Sequence, residues 1–277
     1  MALELLLARQ AGVISREQAL RAGLDAATVD RMVRTRRWQP LHPRVYLVRG
    51  YAAGDEARAR AAVLWAGAGA ALSGAAAAWW HGLLAAPPRT LAVTAPARRP
   101  ARPGVVVRCR VLAPVDRTVR RGLEITAPAL TAVEAAAELA GVAGEQLLER
   151  ALAGRVRWPD VLAAHRRNPA AGAGAVLAAA ADARLVGLLR ATGWRGWRLM
   201  PGRPATVVFP AARVAVEAVG WVRPAGTRTH PGWRVLRVER GEIAGRPGVA
   251  LAAIAAAVGR DLHHLDARIE PSTGRSR

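Results

Sequence analysis

The sequence predicts a mixed fold that combines α+β and α/β regions, and three observations support this prediction. The first 50 residues contain two short helical patterns, separated by a tight turn and followed by a β-hairpin pattern. The middle of the chain alternates helical and strand-like segments, and a long helical pattern later precedes two apolar strand patterns. We predict four parts: residues 1–50, a middle α/β region at 51–168, an α/β domain at 169–260 and a disordered basic tail at 261–277.

The first part carries the signals of a helix-turn-helix. Ser15–Gln18 matches a capping box, in which each of the two end residues accepts a hydrogen bond from the backbone of the other. Gly23 stands where that helix is expected to end, and Asp25 is suited to cap the next helix. His42-Pro43-Arg44 then turns the chain into the β-branched run Val45–Val48. This order predicts a winged helix whose wing is the hairpin.

The second helix of this part has an apolar face and a basic face. Val29, Met32 and Val33 fall on one side, and Arg31 and Arg34 on the other, at about 100° per residue. Residues 31–49 contain arginines but no acid, so the charge bias coincides with the predicted recognition helix and wing. The candidate DNA-binding residues are Thr28, Arg31, Arg34, Arg36, Arg37 and Arg44.

Within this set, the residues on the second helix and the arginines that follow it are expected to have different roles. Thr28, Arg31 and Arg34 are expected to reach base edges, because residues near the start of a recognition helix usually do so. The remaining arginines are expected to contact phosphates. A protein-interaction surface or a merely solvated helix face remains the alternative interpretation.

Three segments of the chain resemble one family. They are Gly12–Val48, which contains the predicted winged helix, and the later runs Leu72–Leu84 and Leu91–Pro96. Together they resemble the AbiEi-type antitoxins. The resemblance implies a protein that binds its own promoter, as double-stranded DNA, through the winged helix. It also implies that the rest of the chain opposes a nucleotidyltransferase-like toxin.

Helix and strand signals alternate through the middle part. Helices are predicted at Ala57–Ala66, Gly74–Leu84, Pro128–Ala140 and Gly144–Ala153, and strands at Thr90–Thr94 and Val105–Val111. Ser73 is placed to cap the second of these helices. The long uncharged run Ala61–Pro88 is mostly alanine and glycine, which contribute little transfer energy. We therefore predict a tightly packed helical hairpin there and no membrane span.

Two strand patterns dominate the third part, Thr206–Trp221 and Gly232–Val238, after a predicted helix at Ala175–Ala191. They resemble the very-short-patch-repair-like endonucleases, a branch of the PD-(D/E)xK restriction-enzyme fold. The residues shared with the pattern of that family are Phe209, Pro210, Arg213, Val214, Ala215, Val216, Glu217, Gly220, Trp221, Gly232, Trp233, Val235, Leu236 and Arg237. The resemblance implies a restriction-endonuclease-like α/β domain.

The active site implied by that resemblance is incomplete. Thr206 and Val219 stand where the family has aspartates, and Glu217 is the one carboxylate within the strand patterns. Phosphodiester hydrolysis with Mg²⁺ normally needs two or more converging carboxylates. We therefore predict that Glu217 is a vestigial catalytic residue, with no metal site and no cofactor. The alternatives are a carboxylate that faces solvent or pairs with an arginine, and a working Mg²⁺ ligand aided by Asp182 or Glu239.

Composition limits the classes of function. All 41 basic side chains are arginine, and the net charge of +21 attracts polyanions, so nucleic acid is the leading partner. Cys109 is the single cysteine, which excludes an intramolecular disulfide and a thiolate-rich zinc site. Met1–Gln10 has the pattern of a first helix and not of a signal peptide. We expect a cytoplasmic protein.

Two functions follow from these observations. The first is a DNA-binding protein, an antitoxin-like or transcriptional regulator whose nuclease-like domain is inactive. The second is a Mg²⁺-dependent DNA endonuclease with an altered active site. The oligomeric state and the DNA target are not indicated by any pattern in the sequence.

Overall fold

The computed structural model describes residues 2–154, 156–200, 206–221 and 232–260. Two compact units are present: Met1–Leu139 with Gln146–Val156, and Ala140–Glu145 with Arg157–Arg277. The mixed fold is confirmed, because the described residues form helices and several sheets. The division into four parts stays a prediction, and its tail at 261–277 lies outside the described residues.

The first unit starts with six short elements that surround a small core. They are α1 (Ala2–Arg9), β1 (Val13–Ser15), α2 (Arg16–Arg21), α3 (Ala26–Arg34), β2 (Trp38–His42) and β3 (Val45–Val48). The three strands form an antiparallel sheet in the order β1-β3-β2. Ile14, Val29, Trp38 and Tyr46 are buried together between this sheet and the helices. The helices, the hairpin and their order agree with the sequence pattern.

A second sheet forms the rest of this unit's framework. The helices and strands of this part of the chain are α4 (Asp55–Ala66), β4 (Ala71–Ser73), α5 (Gly74–His81), β5 (Leu91–Ala95), β6 (Val105–Cys109), β7 (Arg117–Arg120), β8 (Leu123–Thr126), α6 (Pro128–Leu139) and α7 (Gly141–Ala153). The strand order is β6-β5-β4-β8-β7. Leu72, Val93 and Ile125 from the central strands pack with Trp80 in its core.

Two sequence predictions in this region need correction. The run Ala61–Pro88 is not a helical hairpin, because Ala71–Ser73 forms a strand that pairs with β5 and β8. Strand pairing on both sides outweighs the helix propensity of this alanine-rich stretch. Ser73 does lie at the N-cap of α5, but its side chain makes no capping hydrogen bond. Carboxylates from α6 take that place, as described below.

The second unit contains a four-stranded sheet with helices beside it. Its remaining elements are α8 (Trp158–Arg167), α9 (Ala173–Ala191), β9 (Arg198–Leu199), β10 (Thr206–Phe209), β11 (Val214–Val219), β12 (Arg234–Glu239), α10 (Arg240–Gly245) and α11 (Pro247–Val258). The order is β12-β11-β10-β9, with β11 and β12 parallel. Leu185, Val216 and Ile254 are buried in its core.

The described part of the chain contains no helix long and apolar enough to cross a membrane.

Candidate nucleic-acid interface

The start of α2 is fixed by the predicted capping box. Ser15 Oγ accepts a hydrogen bond from Gln18 N at 3.1 Å, and Gln18 Oε1 accepts one from Ser15 N at 3.0 Å. The Gln18 amide also pairs with Gln10, whose Nε2 donates to Val13 O at 2.8 Å. These bonds hold α1, β1 and α2 in one arrangement.

Asp25 fixes the start of α3. Its carboxylate accepts hydrogen bonds from Thr28 N at 2.6 Å and from Thr28 Oγ1 at 3.0 Å. The bond from the Thr28 backbone lowers the pKa of Asp25, so the cap is ionised at neutral pH. Thr28 was predicted to reach base edges, and this stays a prediction: its hydroxyl donates to Asp25 and keeps its lone pairs as acceptors.

The two faces of α3 are arranged as the sequence predicts. Val29 is fully buried, and Met32 and Val33 pack against the same core. Arg31 and Arg34 are exposed on the other side. The apolar face therefore anchors the helix, and the basic face is open to a partner.

Two further arginines lie in tight turns. Arg36 follows α3 with a φ of 55°, and Arg44 lies at the tip of the β2–β3 hairpin with a φ of 63°. Few side chains other than glycine, asparagine and aspartate adopt this left-handed conformation. Arg37 comes next to Arg36, and its backbone N donates to Met32 O at 2.9 Å. All three arginine side chains are exposed.

Arg16 connects the elements that carry these arginines. Its guanidinium pairs with both carboxylate oxygens of Asp30 on α3, one of them at 3.1 Å. Its backbone N donates to Arg44 O in the hairpin at 2.7 Å. The hydrogen bonds from Arg16 lower the pKa of Asp30, so this acid is charged and already paired.

The basic face as a whole lacks acidic partners. We define it as Arg31, Arg34, Arg36, Arg37, Arg44 and Arg49. Among the described residues, none of these six forms an ion pair within 4.0 Å. Many other arginines do so: those paired with an acid include Arg16, Arg58, Arg60, Arg108, Arg110, Arg117, Arg157, Arg240 and Arg246. The basic face is therefore a local excess of positive charge without close ion pairs, although Asp25 and Asp30 lie near enough to Arg31 and Arg34 to interact with them.

The hairpin that carries Arg44 packs against α4. Val45 and Leu47 are buried with Ala57 and Ala61 in one cluster. The His42 ring stacks on the α4 residue Trp65 with 5.4 Å between ring centroids. This contact was not predicted from the sequence. The buried residues of α4 surround the helix and include Arg60, so no single apolar face indicated it.

The second predicted site lies on the sheet of the second unit. Thr206 is in register with Glu217 across β10 and β11, and Glu217 is in register with Arg237 across β11 and β12. Glu217 Oε2 lies 3.6 Å from Arg237 Nε, and the Glu217 side chain is 14% exposed. The structure thus places the predicted residue beside an arginine and opposite a threonine.

Asp182 and Glu239, the acids considered as further Mg²⁺ ligands beside Glu217, lie in different environments. Asp182 on α9 accepts two hydrogen bonds from Arg240, at 2.7 Å from Nε and 3.1 Å from Nη2. Burial raises the pKa of Asp182, while the Arg240 hydrogen bonds oppose that rise. Glu239 is exposed at the end of β12, where it is in register with Val219. Within the described ranges, no group of three or more His, Cys, Asp or Glu side chains could hold a metal ion.

Comparisons with known proteins agree with part of the sequence prediction. Residues 68–189 match the family model described as the AbiEi antitoxin C-terminal domain. This segment includes both Leu72–Leu84 and Leu91–Pro96, so the antitoxin resemblance is confirmed there and supports an AbiEi-type antitoxin. No curated protein matches the chain. The crystal structure of the RV2827C protein from Mycobacterium tuberculosis is similar over 94% of each chain, with 16% identity and a TM-score of 0.34.

Proposed function

We propose that this chain is an antitoxin-like regulator that binds double-stranded DNA through a winged helix formed by α1–α3 and β1–β3. The observation that carries the proposal is the basic face, six exposed arginines without acidic partners on α3, the adjoining turn and the hairpin. The adjoining match to an antitoxin domain at residues 68–189 supports the same reading.

In this proposal α3 enters the major groove with its basic side against the DNA. Arg31 and Arg34 lie on that side and provide donors for base edges or phosphates. Arg36 and Arg37 follow the end of α3 and are assigned to the sugar-phosphate backbone. Arg44 extends the contact at the hairpin tip. Thr28, near the start of α3, is assigned to a base edge as an acceptor, because its hydroxyl proton is donated to Asp25.

The acids on α3 do not oppose an incoming phosphate strongly. Asp30 is paired with Arg16. Asp25 stays ionised, since its hydrogen bonds from Thr28 lower its pKa, and it contributes one negative charge against the six arginines of the basic face. The electrostatic balance of this face therefore favours a polyanion.

For the second unit, we propose an inactive restriction-endonuclease-like domain that acts as a scaffold or partner surface. Thr206 and Val219 cannot act as carboxylate ligands, and Arg240 neutralises the charge of Asp182. Glu217 is left beside Arg237. We further propose that the partner is a nucleotidyltransferase-like toxin and that both act in the cytoplasm, as the antitoxin resemblance implies.

The DNA-binding proposal is tested by Arg31→Ala combined with Arg34→Ala. We expect both substitutions to weaken DNA binding. If both arginines contact phosphates, their loss lowers the slope of log K against log salt by about 1.8, at about 0.9 per contact. With an unchanged affinity at 1 M salt, the same arithmetic gives about 60-fold weaker binding at 0.1 M salt. Fluorescence anisotropy with duplex DNA across a salt series measures both quantities.

The matched control is Arg157→Ala combined with Arg246→Ala. These arginines are 77% and 70% exposed, flank α8 and α10 and pair with acids on those helices. Their loss changes the net charge by the same amount as the loss of Arg31 and Arg34. We expect the control to bind DNA nearly as the wild type does. Equal weakening by both double variants would show a general charge effect and would refute the assignment of the DNA contact to α3.

The alternative function, a Mg²⁺-dependent endonuclease, rests on Glu217 and has a direct test. We expect the purified chain not to cut plasmid DNA with Mg²⁺ or Mn²⁺. Cutting that disappears in Glu217→Ala would overturn the proposal of an inactive domain. Cutting that persists in Glu217→Ala would be assigned to a contaminant.

A further inference from the structure

A polar cluster surrounds the N-terminus of α5, on elements that the basic face does not use. Ala75 N donates to Glu138 Oε2 at 2.6 Å, and Gly74 N donates to Glu134 Oε2 at 3.3 Å. Both acceptors belong to α6. A helix N-terminus favours negative charge, so these carboxylates occupy a position that is suited to an anion.

Two arginines of β6 and the loop after it complete the positive side of the cluster. Arg108 pairs with Glu138 and also lies, through Nη1, 3.5 Å from Glu134 Oε2. Arg110 pairs with the other oxygen of Glu134. Glu134 is only 1% exposed, whereas the side chains of Glu138, Arg108 and Arg110 are 25%, 32% and 22% exposed. The cluster therefore has a buried floor and a side that solutes can reach.

Strand alternation places two hydroxyls on the same side of the sheet as Arg108. Leu72 and Val93 point into the core on the opposite side, so their neighbours Ser73 and Thr94 point towards the cluster. Thr94 is in register with Arg108 across β5 and β6. Both hydroxyl residues are 0% exposed.

The cluster contains buried polar side-chain atoms that none of the described protein acceptors reaches in hydrogen-bonding geometry. Of the five buried side-chain polar atoms without a hydrogen-bond partner in the described part of the chain, four lie here. They are Ser73 Oγ, Thr94 Oγ1, Arg108 Nη1 and Arg110 Nε. Buried polar groups are almost always hydrogen-bonded in folded proteins, so several such groups in one place call for an acceptor that is not part of the chain.

We propose that this cluster is a binding site for a phosphate-sized oxyanion, either free phosphate or the phosphoryl group of a larger ligand. The anion replaces the Glu138 carboxylate at Ala75 N and Arg108. A carboxylate offers two oxygens, whereas a phosphate offers four, which allows it to accept from Ser73 and Thr94 as well. Glu134 stays in place, because it is buried and bonded to Gly74 N and Arg110.

The charge in the site changes in the right direction for this exchange. When Glu138 moves away, Arg108, Arg110 and the N-terminus of α5 face the single negative charge of Glu134. The site is then net positive and accommodates an oxyanion.

Titration calorimetry of the full chain with inorganic phosphate, at constant ionic strength in chloride, tests the proposal. We expect saturable binding at one site. Thr94→Val and Arg108→Gln should each weaken it about tenfold, the scale of one hydrogen bond between charged groups. Glu138→Ala removes the competing carboxylate and should strengthen it. Competition by adenosine monophosphate would identify a phosphoryl group, and absence of competition would identify free phosphate as the ligand.

Two controls separate this site from the DNA interface and from misfolding. Arg31→Ala with Arg34→Ala should keep the phosphate affinity, so failure of one proposal leaves the other standing. Thr94→Val should unfold at the same or a higher temperature than the wild type, because the removed hydroxyl has no partner. Wild-type affinity in both Thr94→Val and Arg108→Gln, or no saturable binding in either the wild type or Glu138→Ala, would overturn the proposal.

Discussion

Substitution of Arg240 is expected to destabilise the second unit strongly. The side chains of Arg240 and Asp182 are each 9% exposed and are joined by two hydrogen bonds, while Arg240 Nη1 also donates to Gly220 O at 2.9 Å. Arg240→Ala leaves the Asp182 carboxylate buried without a counter-charge. Breaking a buried pair in this way costs about 3–5 kcal/mol of the free energy of unfolding.

The comparison that isolates the pair is a double variant, Asp182→Leu with Arg240→Met. It removes both charges and replaces them with apolar groups, so we expect it to lie within about 1 kcal/mol of the wild type, or above it. The pair of Arg157 and Asp160 serves as the exposed comparison, because its Arg157 side chain is 77% exposed. Arg157→Ala is expected to leave the free energy of unfolding nearly unchanged.

Urea unfolding followed by circular dichroism measures these differences. A cost below about 1 kcal/mol for Arg240→Ala would show that Asp182 does not depend on Arg240. Such a result would refute the reasoning that assigns this acid to a structural ion pair, and it would make Asp182 available again as a partner of Glu217.

Two further predictions concern the first unit. Ser15→Ala removes the capping hydrogen bond from Gln18 N and should lower the free energy of unfolding by about 1 kcal/mol, measured by thermal unfolding. Ser73→Ala removes no such bond and should lower it clearly less. Equal losses would contradict the capping assignment. Burial lowers the pKa of His81, so the native state favours the neutral ring, whose Nε2 lies 2.9 Å from Thr126 O. The stabilisation is fully present above the unfolded pKa of about 6.5 and is lost as the pH falls below it. His81→Gln should therefore reduce the slope of the free energy of unfolding against pH below about pH 6.5. An unchanged slope would contradict this prediction.

The sequence predicted best where a local signal determines the structure. Ser15–Gln18, Asp25 and the faces of α3 depend on residues three or four positions apart, and these were placed correctly. The strand β4 was missed because its three residues, Ala71–Ser73, have no β-branched side chain, and pairing with β5 and β8 decides their conformation. Long-range pairing of this kind leaves no local trace in the sequence.

Side-chain partners were predicted less well than elements, for the same reason. The bond between Asp182 and Arg240 joins residues 58 positions apart, and neither residue has a motif that indicates the other. The cluster at α5 left a weak signal. Glu134 and Glu138 are one helical turn apart, and Arg108 and Arg110 alternate along the chain as strand residues do.

If the chain binds DNA as proposed, the contacts of Arg16 have a consequence for the affinity. Arg16 contacts α3 through Asp30 and the hairpin tip through the carbonyl of Arg44. The arrangement of these two elements is therefore fixed before a duplex binds. The conformational entropy of ordering the hairpin is lost during folding, so the encounter complex does not bear that cost. In the proposed complex with DNA, this preformed surface favours duplexes whose shape already fits α3 and the hairpin tip, a preference that does not depend on base contacts.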